Sequence, residues 1–462
     1  MRLTSLDRAV ILVIALLILL IGGTIVLGDR VGVQVTQAAP LTQAHSTSLI
    51  SVHFNETMNH DSATSHFRTD PAVPGTFSWS GSTMTFQPAH PLTPGSSYTV
   101  SIEPGALSDT GRAVLTKVQF SFKVLTPRVA YLYPADGTPQ NIWIVDPADP
   151  KNPKQVTNSP TGIVDFGVSP DGTKIAFTES DPGLGTSDIK LLDLDTGGLQ
   201  QLTNCANALC SAPVWRPDGK MIAYERVEND PTFGNSPPRI WLLDLTSTPA
   251  TTQPLFQENQ ILGYDAQWSA DGSRIALVDR SSASILIYDF NTGKIVSIAS
   301  TAGTSGALSP DGKTLVYPDL VSSPDGSGAM LNTLRIAQVD TGAFDTLSDP
   351  TQSDDDQRAQ WNPDGQSVAV ARAQGVSMNT AQIILIDMKT KAAQPITTDP
   401  HYSNILFWWD PTGSALVVQR FPQFDANMQP NPTGKPEIWT IDAATGKGIM
   451  VANDGYLPHW VP

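Results

Sequence analysis

Cysteine is nearly missing from this chain of 462 residues: Cys205 and Cys210 are the only two. A structural zinc site needs more ligands than this pair offers. Outside the cytosol the two would close a short local disulfide; free thiols in a surface loop are the alternative. Positive charge is also scarce, with 28 Lys and Arg against 44 Asp and Glu and a net charge of −16. That balance argues against nucleic acid or an anionic lipid surface as a partner, because both need a basic footprint. Catalytic fingerprints are missing as well: no GxSxG elbow, HExxH, GxxxxGK or GxGxxG occurs. Only His401 and His459 of the 7 histidines lie beyond residue 126, neither beside a recognisable nucleophile. No enzymatic activity, cofactor or metal is expected.

What the chain does contain begins with an uncharged run from Ala9 to Gly28, AVILVIALLILLIGGTIVLG. As a helix it is roughly one bilayer thickness. Arg2 and Arg8 precede it, so the positive-inside rule puts residues 1–30 in the cytoplasm and the membrane, with everything after Asp29 outside. The expectation is a single-pass signal anchor in the cell membrane. Secretion after cleavage is the alternative, although a signal peptide core is usually only about 7–15 residues long.

Residues 36–125 alternate with a two-residue period, as in Leu49–Phe54, Thr76–Trp79, Thr83–Phe86, Tyr98–Ile102 and Val118–Phe122. Short strands separated by turns such as Pro94-Gly95 and Pro104-Gly105 predict a β-sandwich. The runs VHFNETMN (52–59), FSWSGSTMTFQPAHPLTPGSSYTVSI (77–102) and VQFSFKV resemble the bacterial Ig-like domain of the S-layer-protein type. That resemblance implies a spacer or adhesion module outside the cell, with no catalytic residues. Five histidines fall here (His45, His53, His60, His66 and His90), in no zinc-binding pattern.

Repetition organises residues 127–462. The pattern Ile-x-x-x-Asp ends at Asp146, Asp193, Asp244, Asp289, Asp340, Asp387 and Asp442, at intervals of 45 to 55 residues. Seven copies at that period predict seven propeller blades of four strands each. A second motif interleaves: SPDG (169–172), RPDG (216–219), SADG (269–272), SPDG (309–312), NPDG (362–365) and DPTG (410–413). Pro presets one turn dihedral and Gly accepts positive φ, so each marks a tight hairpin between a blade's strands a and b. The first blade, from Arg128, lacks its own strand a. The C-terminal stretch 455–462 supplies it, with Trp460 in register with Trp215, Trp268, Trp361 and Trp409. Such closure removes the exposed sheet edges. These repeats resemble the TolB-type, WD40-like Pro-Asp-Gly (PD40) propeller, which also occurs as the non-catalytic domain of prolyl-oligopeptidase-like peptidases. The fold class expected is all-β: an Ig-like β-sandwich and a seven-bladed β-propeller behind one transmembrane helix.

The repeating tryptophans are expected to pack between blades. Alternation within strand a turns Asp165, Asp265, Gln267, Arg358, Gln360, Trp408 and His459 toward the central channel, either as solvated lining or as candidate binding groups. Long b–c loops are expected at Ser180–Ser187, Glu228–Pro238, Val321–Thr333 and Phe421–Pro436, the last carrying Phe421, Phe424 and Met428 as candidate contacts. Asp354-Asp355-Asp356 is expected in a solvated acidic loop. The function expected is a monomeric, membrane-anchored, extracytoplasmic binding or scaffold protein. It would recognise a cell-envelope protein or polysaccharide without catalysis. The alternative is a glycan or peptide hydrolase or lyase working from the channel mouth.

Overall fold

The computed structural model describes residues 5–137, except 29–31, and residues 139–462, except 231, 233, 258–260, 350 and 375–379; side chains of 5–9 and 24–28 are outside the description. It divides into Met1–Leu125 and Thr126–Pro462. The helix α1 (Ser5–Gly28) opens the first unit. Among the described residues no helix is long and apolar enough to cross a membrane, so the expected transmembrane span has no support from the fold. Its flanks at Arg2 and Asp29, and the Arg8 side chain, lie outside the described residues.

The rest of this unit is a two-sheet sandwich. One sheet orders its strands Val35–Ala39, Ile50–Phe54, Thr83–Pro88 and Gly75–Ser80; the other orders Gln43–Ala44, Val118–Val124, Ser97–Ile102 and Phe67–Asp70. Alternate residues Ile50, Val52 and Phe54 meet Met84, Phe86, Val100, Ile102 and Phe122 in one apolar core. A short helix, α2 (His60–Ser65), is capped by the Asn59 side chain, which accepts the Ser62 amide at 2.9 Å. Two of the histidines have ordinary partners: His60 stacks on Trp79 at 4.3 Å, and His53 Nδ1 lies 2.8 Å from Thr83 Oγ1.

The second unit consists of seven four-stranded antiparallel units. Strand a is Ile163–Val168 in blade 2, Ala208–Trp215 in blade 3, Tyr264–Trp268 in blade 4, Ala307–Leu308 in blade 5, Asp354–Trp361 in blade 6 and Tyr402–Trp409 in blade 7. Blade 1 takes Tyr456–Val461 as its strand a, paired antiparallel to Arg128–Tyr133 with Trp460 opposite Val129. A single parallel bridge, Ser187 to Leu209, links blades 2 and 3.

The two sequence motifs are turns whose internal chemistry recurs in most blades. In the a–b turn the glycine holds positive φ, 70° at Gly172 and 72° at Gly413. The turn aspartate folds back on its own segment: Asp311 accepts Ser309 Oγ at 2.6 Å and the Lys313 amide at 3.1 Å. In the c–d turn the repeated Asp accepts a threonine amide, as at Asp193 (Thr196), Asp244 (Thr246), Asp289 (Thr292), Asp387 (Thr390) and Asp442 (Thr445). These repeated acids are bound up in turn geometry.

Two expectations are corrected here. The b–c connections at 180–187 and 321–333 are mostly prolonged hairpins: Asp181 pairs with Thr186, and Ser322 pairs with Met330. Gly, Ser and Pro in these stretches conceal strand continuation. The triple aspartate begins strand a of blade 6, and Asp356 is fully buried. Arg372, 16 residues further on, binds it through Nε at 2.6 Å and Nη2 at 2.8 Å and reaches Asp354 at 2.9 Å. A buried carboxylate requires such a partner, which a local reading of three acids cannot supply.

Candidate functional site

The centre of the propeller is built by the seven copies of strand a, and a bulge shapes most of them. Register shifts occur between Ile163 and Asp165, Ser211 and Val214, Tyr264 and Gln267, Asp356 and Arg358, Ser403 and Leu406, and Tyr456 and His459. Ala212, Asp265 and Leu457 stand at φ 53°, 55° and 51° in these bulges, a conformation that L-residues adopt only when their surroundings enforce it. The bulges at Ala212, Asp265 and Leu457 turn a backbone amide toward the preceding blade.

Two layers of inter-blade hydrogen bonds result. In the deeper layer the strand-a tryptophans donate Nε1 to the strand a of the preceding blade. Trp215 reaches Gly167 O at 3.0 Å, Trp268 reaches Val214 O at 3.1 Å and Trp361 reaches Ala307 O at 3.0 Å. Trp409 reaches Gln360 O at 3.3 Å, and Trp460 closes the ring on Trp408 O at 3.1 Å. Val168 and Leu308 occupy the equivalent position in blades 2 and 5, so those junctions lack this bond. A cavity of about 180 Å³, lined by Arg274, Val296 and Asp340 among others, lies at the blade 4–5 junction.

The second layer lies nearer the b–c connections and binds the bulge amides. Asp165 Oδ2 accepts the Ala212 amide at 2.9 Å, Glu225 Oε1 accepts the Asp265 amide at 2.8 Å, Asp265 Oδ2 accepts the Ser305 amide at 2.7 Å and Gln419 Oε1 accepts the Leu457 amide at 2.8 Å. Asp165 also accepts the Thr178 hydroxyl, and Asp265 those of Ser305 and Thr304 at 3.0 and 3.2 Å. Two channel candidates, Asp165 and Asp265, are thus engaged in holding one blade to the next. Burial pushes the Asp165 carboxyl up. Burial also raises Glu225, and the neighbouring Asp265 and Asp165 charges add to it.

Blades 6, 7 and 1 differ in kind. Arg358 lies over the Trp408 ring at 5.0 Å and over Phe407 at 5.9 Å. Its Nε is buried without an acceptor among the described residues. Burial lowers its pKa and the Asp265 charge opposes that, but a guanidinium stays protonated in proteins. Trp408 meets the His459 ring at 4.6 Å, and His459 meets Phe166 of blade 2 edge-on at 5.0 Å. Burial first, then the Arg358 charge, pushes His459 down to about 3, so its imidazole is neutral at physiological pH. Arg358, Trp408 and His459 nevertheless retain partial exposure, as do Gln360 and Gln267 on the same inner positions. The side-chain amides of Gln360 and Gln267 have no hydrogen-bond partner among the described residues.

The remaining candidates are separate from this group. Phe421 is the penultimate residue of strand b of blade 7 (Ala415–Pro422), and Phe424 and Met428 belong to a folded loop beyond it, where Phe424 bridges to Pro430 and Asp425 accepts the Asn427 amide at 2.8 Å. Met428 is exposed; Phe421 and Phe424 are partly covered. The Gln423 amide anchors the loop on His401 O at 2.8 Å. Cys205 and Cys210 are joined by a disulfide. Among the described residues no group of three His, Cys, Asp or Glu is placed to hold a metal ion.

Sequence reasoning missed Glu225 and Gln419 because they lie on strand b. A signal was available: Thr178, Glu225 and Gln419 share a position that is apolar in Val278, Pro318 and Ala371. Glu225 and Gln419 accept an amide of the next blade, and Thr178 donates to Asp165 of its own blade.

Comparison with known proteins agrees with this division. Residues 29–124 match the family described as bacterial Ig-like domain. Dipeptidyl-peptidase 5 of Porphyromonas gingivalis is 28% identical over 144 residues, which cover 29% of this chain and 20% of that protein. The chain therefore spans about a fifth of the curated relative it matches. Among solved structures, TolB from Acinetobacter baumannii is 16% identical with a TM-score of 0.42, over 86% of this chain and 83% of that one. An oligogalacturonate lyase from Vibrio parahaemolyticus is 16% identical with a TM-score of 0.46, over 70% and 86%. Likeness at this level concerns the fold alone, and the blade count rests on the strand pairing described above. The chain joins a segment similar to a bacterial Ig-like domain to a seven-bladed β-propeller.

Proposed function

We propose that this chain is a membrane-anchored, extracytoplasmic binding protein. Its propeller recognises a cell-envelope protein or polysaccharide through the b–c side and the channel mouth, and the Ig-like domain is a spacer. What carries this reading is the convergence of Arg358, Trp408 and His459 on inner positions that other blades fill differently. Side chains that repeat from blade to blade serve the fold, whereas these three do not repeat. An imidazole held near 3 is a poor general base at neutral pH, which favours binding over hydrolysis or elimination at this position. The anchor in this reading rests on the sequence, the uncharged run Ala9–Gly28 behind Arg2 and Arg8.

The test incubates the full chain with solubilised envelope proteins and polysaccharides. The expected outcome is saturable capture of one component, weakened at least about tenfold when Phe421–Pro436 is shortened, with no cleavage of it. Unchanged capture by the shortened loop, or product release abolished by His459→Ala, would reject the reading. The second result would establish the enzyme in its place.

A further inference from the structure

We propose that the propeller channel holds a carboxylate-binding site centred on Arg358. The guanidinium carbon lies 5.0 Å from the centre of the Trp408 ring, and the Nε has no acceptor among the described residues. The carboxylates that could neutralise it from the channel wall are otherwise engaged: Asp265 accepts from Ser305 and Thr304, and Asp165 accepts from Ala212 and Thr178. A crowded permanent cation with no hydrogen-bonded counter-ion is costly, and Arg358 keeps partial exposure at an inner position where a ligand can supply the missing partner.

The surroundings select the anion. Among the described residues Arg358 is the only cationic side chain at the inner strand-a positions, since His459 is neutral. Asp165 and Glu225 belong to blades 2 and 3, across the ring from blade 6. One positive charge facing that wall suits a monoanion and disfavours a phosphate dianion. A carboxylate matches the planar fork of a guanidinium through two parallel hydrogen bonds. The Trp408 and His459 rings, 4.6 Å apart and tilted by 48°, offer an aromatic surface beside it, and the Gln360 amide, two residues along the same strand, can reach a neighbouring polar group. The ligand is thus a monocarboxylate carried on a planar or apolar body. In an envelope it would come from a polypeptide C-terminus or from a sugar acid.

This rests on the propeller being a recognition platform, but its test needs no envelope partner. Benzoate and its neutral analogue benzamide are titrated into the full chain by calorimetry. Benzoate is expected to bind and benzamide not, and Arg358→Met to weaken benzoate at least tenfold. Arg358→Lys, which keeps the charge and loses the fork, should fall between. Because Arg358→Met removes an unpartnered charge, it should unfold at the same or a higher temperature than the wild type. Glycyl-phenylalanine against its C-terminal amide, and glucuronate against glucose, identify the source; preference for either acid over its neutral form supports the site. The proposal is overturned if benzamide or inorganic phosphate binds as well as benzoate, if Arg358→Met leaves benzoate binding intact, or if that variant unfolds earlier. Benzoate binding together with failed envelope capture would reject the platform reading and leave the carboxylate site standing.

Discussion

The c–d turns and the channel are made by the same four-stranded unit, yet they follow opposite rules. At the turns, Asp193, Asp244, Asp289, Asp387 and Asp442 all accept a threonine amide within their own blade. In the channel the equivalent positions Asp165, Ala212, Asp265, Ser305, Arg358, Leu406 and Leu457 hold five residue types. Most of their hydrogen bonds run to an adjacent blade. Turn chemistry is local and can be copied. Channel chemistry depends on which blade comes next, so it diverges, and that freedom is where a ligand site can arise.

The sharpest way to break this contrast is to remove a neighbour. Deleting Gly455–Pro462 takes away strand a of blade 1, the Trp460 bond to Trp408 and the Leu457 bond to Gln419. A loss of more than about 5 kcal/mol is expected, enough to abolish cooperative unfolding of the propeller. Thermal melting and limited proteolysis indistinguishable from the wild type would refute closure by this strand.

A smaller effect comes from Glu225. Glu225→Ala strands the Asp265 amide and should cost about 2 kcal/mol. Glu225→Gln keeps an acceptor and removes a charge that burial disfavours. The folded pKa is raised, so the penalty on the ionised form is absent below the unfolded value and complete above the folded one. Glu225→Gln should therefore melt above the wild type at pH 7, with the gain vanishing below about pH 4. A lower melting temperature at pH 7 would show that Glu225 is held as a favourable carboxylate.

The smallest effect is expected at a turn. The Ser309 hydroxyl and the Lys313 amide hold the exposed Asp311 carboxylate below its ordinary range. Asp311→Ala should cost no more than about 1 kcal/mol. A depressed folded pKa stabilises above the unfolded value and loses that contribution as pH falls through the folded one. The deficit should consequently shrink in acid, opposite in sign to the Glu225→Gln gain. Chemical denaturation of both variants at pH 7 and pH 3 checks the pair; a deficit that grows in acid would contradict it.

Much of the architecture was legible because turns are local. Each Pro-Asp-Gly motif carries its own geometry, and Trp460 revealed the closing strand by falling in register with Trp409. Alternation along strand a also pointed to Arg358, Trp408 and His459. What could not be read were partnerships made across blades. Asp165 and Asp265 looked free because the amides they bind belong to Ala212 and Ser305, 47 and 40 residues away. Asp356 looked solvated because Arg372 lies on the adjacent strand. The single Arg358 guanidinium drew notice as a polar residue, but only packing reveals that no acceptor was provided for it.

The tryptophan bonds divide the ring unequally. They join blades 2, 3 and 4 into one arc and blades 5, 6, 7 and 1 into another, leaving Val168 and Leu308 at the two seams. The short arc carries Asp165, Glu225 and Asp265, whereas the long arc carries Arg358, Trp408 and His459. A circle fastened this way has two natural fault lines, and amide hydrogen exchange should be fastest along them. Any molecule spanning the channel from Arg358 to the opposite wall would clasp both halves, so occupancy would register as slower exchange at seams it never touches.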